Sequence, residues 1–271
     1  DLYVNLEPCC HHGRTPPCTE AILEAGISRV FVGTLDPFPE VSGKGVEQLR
    51  DAGVQVIVGV EAAASLALNR PYFKRITTGL PWVTVKYAMT LDGKIASRIG
   101  DSAWISGEGS RRRVHELRDV HDAILVGTGT LRSDNPRLTT RLAGGEDPIR
   151  VVLDARATVP TSANVYDTEI STAATILVTS GDADASHLGA LEERGIEVVE
   201  APSDEQGRFE LEVVLRELAR RGISNVFVEG GARILGSLFD ERLVDEVYAF
   251  VAPKLVGGED APSAVAGGGL E

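Results

Sequence analysis

The sequence predicts an α/β chain of two units in which short parallel strands alternate with helices. Three observations carry that expectation. Short apolar runs rich in β-branched residues recur along the chain, among them "RVFVGT", "VQVIVGV", "PIRVVLDA" and "TILVTS". Between them lie segments with apolar residues at helical spacing that stop at glycine, such as "TEAILEAG" and "LEVVLRELARRG". Strands joined by helical crossovers of this length pair in parallel and are covered on both faces. At 271 residues, with 43% hydrophobic and 25% charged side chains, the chain can bury two modest cores.

Taken in order, residues 1–60 read as βαβαβ. "LYVNL" is a strand, "TEAILEAG" a helix closed by Gly26, "RVFVGT" a strand, "GKGVEQLRDAG" a helix and "VQVIVGV" a third strand. Three strands are few for such a sheet. The chain opens on an aspartate directly before a strand-like run, and "AVAGGGLE" supplies no closing element, so both ends are expected to be cut. Residues 61–80 read as a helix, a turn at Pro71 and a linker. A second domain, residues 81–271, begins with the strand "WVTVKYAMT", which carries Lys86 and runs into an Asp92-Gly93 turn. "EGSRRRVHELRDV" follows as a helix, "AILVGTGTL" as strand plus turn, and then "PIRVVLDA" and "TILVTS" as strands. "LGALEERG" is a helix, "IEVVEAP" a strand and "LEVVLRELARRG" a helix, before a closing strand, glycine turn, helix and strand from "SNVFVEGG" onward.

The formal charge of -13 repels nucleic-acid backbones and anionic membrane surfaces. Small molecules are therefore the expected partners, and a phosphorylated ligand needs a local cluster of arginines. No apolar run approaches the roughly 20 residues of a membrane span. Three cysteines within ten positions make no disulfide framework for a chain of this size, which points to a reducing, cytoplasmic location.

The densest chemistry is in "EPCCHHGRTPPC", Glu7 to Cys18. Thiolates favour zinc, and a catalytic zinc needs three protein ligands and one open position. Cys9 ends a strand and Cys18 starts a helix, whose N-terminus is expected to lower the thiol pKa. Zinc deaminases add an upstream His-x-Glu; only eight residues precede Cys9, and none of them is histidine. His11 and His12 are available but adjacent to Cys9, so each reaches a shared ion only with strain. Two buried thiols without a metal are an equal alternative.

In the second domain, "VFVEGG" followed by "ARILGSLF" gives a strand, a glycine pair and a helix, which can bring backbone amides to a pyrophosphate. Lys86 on one strand and Glu229 at the end of another can supply and orient one proton if they share a pocket. "RRR", Arg111 to Arg113, reads as a solvated helix face.

"NLEPCCHHGRTPPC", "VKYAMTLDGKIA", "GDSAWIS", "DAILVGTGTLRSDNPRLTTR" and "VEGGARILGSLF" together resemble the bifunctional riboflavin-biosynthesis enzymes. Those combine a diaminohydroxyphosphoribosylaminopyrimidine deaminase with a 5-amino-6-(5-phosphoribosylamino)uracil reductase. The resemblance implies part of a cytidine-deaminase-like three-layer domain at residues 1–60, followed by a dihydrofolate-reductase-like α/β domain. It implies Zn2+ held by Cys9 and Cys18, with the third ligand and the glutamate outside this sequence, and pyrimidine contacts from His11 and Arg14. Cys10 stands where a serine is usual. For the reductase it implies NADPH bound by Ala88, Trp104, Thr130, Asp134, Gly231, Ala232, Arg233, Ile234, Leu235, Gly236 and Ser237. It implies substrate contacts from Ser102, Arg118, Leu138, Arg141 and Glu229, with Arg118 and Arg141 best suited to its phosphate and Arg118, near the helix end, preferred over the Arg111–Arg113 run, and with Lys86 and Glu229 catalytic. A homo-oligomer is also expected. The alternative is a reductase alone, with residues 1–60 a structural module.

Overall fold

The computed structural model describes residues 1–13, 15–99 and 105–269. The chain divides into two compact units, Asp1–Leu80 and Pro81–Glu271. In the first, strands β1 (Leu2–Leu6), β2 (Arg29–Thr34) and β3 (Gln55–Val58) form an all-parallel sheet in that order. Strand alternation sends Val30 and Val32 to one face, where Ile22 of α1 (Cys18–Glu24) and Val46 and Leu49 of α2 (Lys44–Asp51) close a buried cluster. The opposite face takes α3 (Ala62–Thr78) through Gly33, where a Cβ would collide with the Ser65 side chain and the Asn5 carbonyl. Helices thus cover both faces of the sheet, as parallel pairing demands.

The expected turn at Pro71 and linker at 61–80 are corrected by α3. The helix runs through Pro71 and packs against β1 and β2. A proline has no N–H for the carbonyl four residues back, which is that of Ala67. Arg70 supplies the substitute, donating from Nε to the Ala67 carbonyl at 3.1 Å.

The second unit is a seven-stranded parallel sheet. Its strands are β4 (Trp82–Thr90), β5 (Ala123–Gly127), β6 (Ile149–Leu153), β7 (Thr175–Thr179), β8 (Glu197–Glu200), β9 (Asn225–Val228) and β10 (Glu246–Ala252). They lie in the order β10-β4-β9-β5-β6-β7-β8. The helices are α4 (Glu108–Asp119), α5 (Thr128–Asp134), α6 (Ala185–Glu192), α7 (Leu211–Arg220) and α8 (Ala232–Asp240). On one face Ile124, Val126, Val152, Leu177 and Phe227 bury against Val114 and Leu117 of α4. Each side chain of that size contributes roughly 1.5–3 kcal/mol on burial.

Two local expectations change. The stretch after β5, read as a turn, is the short helix α5. A 3-10 turn at Asn164–Tyr166, which carries no periodicity signal, buries Val165 and Tyr166 in the core. The Asp92-Gly93 turn is present, with Gly93 at φ 75° where a side chain would be strained. Among the described residues, no helix is long and apolar enough to cross a membrane.

Candidate active site

In a parallel α/β sheet, ligands sit outside the carboxyl ends of the strands. The second unit opens there. β4 and β9 pair with Val85 opposite Val228, so Lys86 and Glu229 stand one rung further along on neighbouring strands. Parallel neighbours share a face, and both residues line one cavity of about 520 Å³. Ala88, Thr130, Asp134, Gly231, Ala232 and Leu235 line it too. A second cavity, about 510 Å³, shares Gly129, Gly231 and Ala232 with the first and is lined further by Arg233, Ile234 and Ser237.

Glu229 is buried, and its carboxylate meets the Arg118 guanidinium in a fork, Nε to Oε1 at 2.5 Å and Nη2 to Oε2 at 3.0 Å. Burial would raise its pKa. The charge and hydrogen bonds of Arg118, with smaller help from Lys86 and His115, outweigh that and hold the carboxyl below its ordinary value. Glu229 is therefore an anion at neutral pH.

The same fork sets the position of Arg118. That side chain is only 9% exposed, and its remaining terminal nitrogen donates to the Thr139 carbonyl at 2.9 Å. Three of its five N–H groups are thus engaged within the protein. The helix-end position suggested an outward reach; the partner that turns it inward is 111 residues away and invisible to local pattern. Leu138 is likewise a core residue, 1% exposed and at φ 58°. Arg141, also at positive φ, lines a separate cavity with Arg137 and Thr139. Gly236 is a packing position: a Cβ there would strike the Ala266 carbonyl, so the absence of a side chain lets α8 approach that segment. Ser102, Trp104 and Arg14 lie outside the described residues.

Arg111 was missed as a cavity residue. It lines the cavity with Lys86 and Glu229, while its neighbours Arg112 and Arg113 pair with Glu116 on the outer helix face. All three arginines are exposed, as the solvated-face reading expects, and nothing in the triplet singles out Arg111 as the one that also borders the cavity. Ile95, Ile105, Ser106 and Ser133 complete the wall without a sequence signature.

The cavity pair suits a dinucleotide. Gly231 is the N-cap of α8 and no side chain satisfies that helix end, which leaves its first amides for a ligand. Thr130 Oγ1 lies 3.4 Å from where a Gly230 Cβ would stand, so a side chain there would narrow the passage.

In the first unit the Cys9 and Cys18 side chains are hydrogen-bond neighbours, and the Cys18 amide donates to Cys9 Sγ at 3.3 Å. They line a cavity beside β1 with Glu7 and Asp36. The Cys18 thiol pKa is raised, first by its hydrogen bond with the Cys9 side chain and then by burial; this overturns the lowering expected from the helix end. Two adjacent sulfurs suit a zinc ion, but among the described residues no three His, Cys, Asp or Glu side chains converge. His11 packs against the Phe38 ring at 5.6 Å and does not complete the set. Glu7, beside Cys9 in sequence, is not available as a proton shuttle. Its carboxylate accepts from the backbone amides of Asp36, Gly43 and Val46 at 2.9–3.1 Å.

Comparison with known proteins matches residues 81–271 to the RibD C-terminal domain. The riboflavin biosynthesis protein RibD of Bacillus amyloliquefaciens is 43% identical over 272 residues, covering 100% of this chain and 72% of that one. The chain belongs to the RibD family. A crystal structure of a diaminohydroxyphosphoribosylaminopyrimidine deaminase/5-amino-6-(5-phosphoribosylamino)uracil reductase from Thermotoga maritima superimposes with a TM-score of 0.78 at 41% identity. That match covers 93% of this chain and 67% of the other. Acinetobacter baumannii RibD reaches a TM-score of 0.83 at 31% identity, over 96% of this chain and 70% of that one. The parallel α/β architecture and the reductase region of RibD are thus common to this chain and its relatives.

Proposed function

We propose that residues 81–271 form a reductase of dihydrofolate-reductase-like fold in riboflavin biosynthesis, which uses NADPH to convert the ribosyl side chain of 5-amino-6-(5-phosphoribosylamino)uracil to its ribityl form. The carrying observation is Lys86 beside an anionic Glu229 in a cavity continuous with the glycine turn. NADPH, when bound, supplies the hydride for the sugar carbon. Ala88, Thr130, Asp134 and the turn residues Gly231 and Ala232 would hold it on the cavity wall. Reduction of an opened, imine-like carbon also needs one proton at the nitrogen that takes up the electron pair. Lys86 is the acid for that step, because the Arg118 fork keeps Glu229 without a proton to give. Glu229 holds its charge against Lys86 and fixes where the ammonium points. Arg111 is a further cation on the cavity wall, available to substrate phosphate beside the expected Arg118 and Arg141.

Lys86→Ala is expected to lower kcat for substrate-dependent NADPH oxidation by about 10²–10⁴-fold, the usual weight of a positioned acid. Full activity in that variant removes Lys86 from the reaction.

For the first unit, the adjacent sulfurs support a second reading, part of a cytidine-deaminase-like zinc site at residues 1–60. Its described donors stop at two, so the chain of 271 residues is expected to release no ammonia from the diaminopyrimidine. Ammonia release with about one zinc per chain would show that the set is completed. Without it, the alternative of a reductase with a structural first unit stands.

A further inference from the structure

The charges around Glu229 enclose one further titratable ring, that of His115. On α4, Arg111, His115 and Arg118 follow the i, i+4, i+7 pattern and so share one helix face. Arg111 borders the cavity and Arg118 forks onto Glu229, which puts His115 between the two. The ring hydrogen-bonds the Thr139 backbone in a way that favours a proton on the ring, so the carbonyl is the partner. Nδ1 is buried and has no partner, so that bond is made through Nε2. A carbonyl only accepts; Nε2 therefore carries the proton and Nδ1 is the bare acceptor. Protonating Nδ1 as well would bury an N–H without an acceptor. It would also add a cation beside Arg118 and Arg141, with Glu229 as the opposing charge. Burial first, and then those two arginines, hold the ring below its ordinary value of 6.5.

The Thr139 carbonyl has a second donor. Arg118 Nη1 reaches it at 2.9 Å, so one carbonyl ties the histidine to the arginine that grips Glu229. The backbone on either side is strained, with Leu138 at φ 58° and Arg141 at φ 54°. Residues held in that region persist where their surroundings over-determine them. Here the surroundings include His115 twice, by its ring and by its own carbonyl, which accepts from Thr140 Oγ1 at 3.3 Å. The Thr140 amide donates to Asp147 Oδ1 at 2.7 Å, and Ser171 Oγ donates to the other oxygen of that carboxylate at 2.7 Å. We propose that His115 is a positioning residue of the reductase: as the Nε2–H tautomer it pins Thr139 beside Arg118 and fixes the strained loop that presents Arg141 to the phosphorylated substrate. The inference rests on the reductase reading above and adds to it a residue that acts through the loop rather than on the substrate.

Steady-state kinetics of the full chain with saturating NADPH, across about pH 5 to 8 where histidine titrates, tests the role. His115→Ala is expected to raise KM for 5-amino-6-(5-phosphoribosylamino)uracil about three- to tenfold, the weight of one hydrogen bond, with kcat held within about twofold. His115→Gln offers an N–H of similar reach and cannot be protonated, so it is expected to restore KM at neutral pH. The pH profile separates positioning from bulk. The neutral ring is the working form, so wild-type kcat/KM is expected to fall as pH drops through a folded value below 6.5, and the Gln variant to lack that limb. Glu229, held below 4.5, titrates outside this window. A limb that persists in the Gln variant belongs to another group, such as the substrate phosphate, and overturns the inference; so does an unchanged KM in the Ala variant. Imidazole nitrogen-15 shifts of the wild-type chain need no variant to fold. They are expected to show the Nε2–H tautomer at neutral pH, and an Nδ1–H tautomer or a charged ring overturns the inference. An active wild type matched by His115→Ala sinks the inference alone; a wild type that oxidises no NADPH with this substrate takes the reductase reading with it.

Discussion

Glu7 and Glu229 occupy the same address in the two units. Each is the first residue past a parallel strand, β1 in one case and β9 in the other, and each is buried. Their partners differ. Glu7 is held by backbone amides of Asp36, Gly43 and Val46, groups that cannot leave without the loop moving. Glu229 is held by a side-chain cation and has Lys86 as a second charged neighbour on a cavity wall. Backbone donors make a carboxylate part of the scaffold; side-chain cations beside open space make it part of the chemistry. Asp154 tests the rule inside the second unit. It too follows a strand, β6, and it accepts from the amides of Thr158 and Val159, fixing a loop and lining no reactive cavity.

The largest expected effect comes from removing the cation. Arg118→Met leaves a buried carboxylate without its partner, at a cost of about 3–5 kcal/mol in unfolding free energy. The pH dependence should change sign. In the native chain the Glu229 pKa is depressed, so its contribution is present above the unfolded carboxyl value and fades as pH falls through the folded one. Without Arg118, burial dominates and raises the folded pKa, so the variant should lose stability as pH rises past the unfolded value. Denaturant titrations across pH 3 to 7 (on the order of the carboxyl range) read both slopes. Parallel curves for the two proteins would mean that Arg118 does not control Glu229.

Glu7→Gln should cost less, about 1–3 kcal/mol, because its partners are uncharged backbone amides and no buried charge is left without its counter-ion. The amide group presents an N–H₂ toward backbone donors and satisfies at most one side of the cradle. Faster hydrogen exchange at Asp36, Gly43 and Val46 is the expected signature, with kcat of the reductase unchanged. A fall in reductase turnover would break the assignment of Glu7 to scaffold alone.

How much of this was legible depends on the range of each contact. The strands and most helices follow from periodicity, and the cysteine pair follows from nine positions of separation across one loop. Lys86 and Glu229 could be nominated because each interrupts an apolar strand pattern. Arg118 could not be placed, since a helix-end arginine looks alike whether it faces solvent or a carboxylate on a strand far along the chain. Pro71 misled for the opposite reason. The rule that proline ends helices is local, and here a local donor, Arg70, repairs the bond it removes.

Asp92 sharpens the comparison at its weakest end. It stands two residues past β4, fully exposed, and accepts from Thr90 Oγ1 at 2.6 Å and from the amides of Val256 and Gly257. The Thr90 hydroxyl and then the Gly257 amide bring its pKa down to about 2. Its partners are again mostly backbone, so it belongs with Glu7: it ties the β4 turn to the segment after β10. A depressed folded value means that the tie is whole above the unfolded pKa and is lost as pH falls toward about 2. Asp92→Asn should therefore move Tm only slightly at neutral pH and flatten the acid limb of the stability curve. If the acid limb of the variant kept its slope, the tie would contribute nothing, and solvent exposure would outweigh the type of donor in deciding what a strand-end carboxylate does.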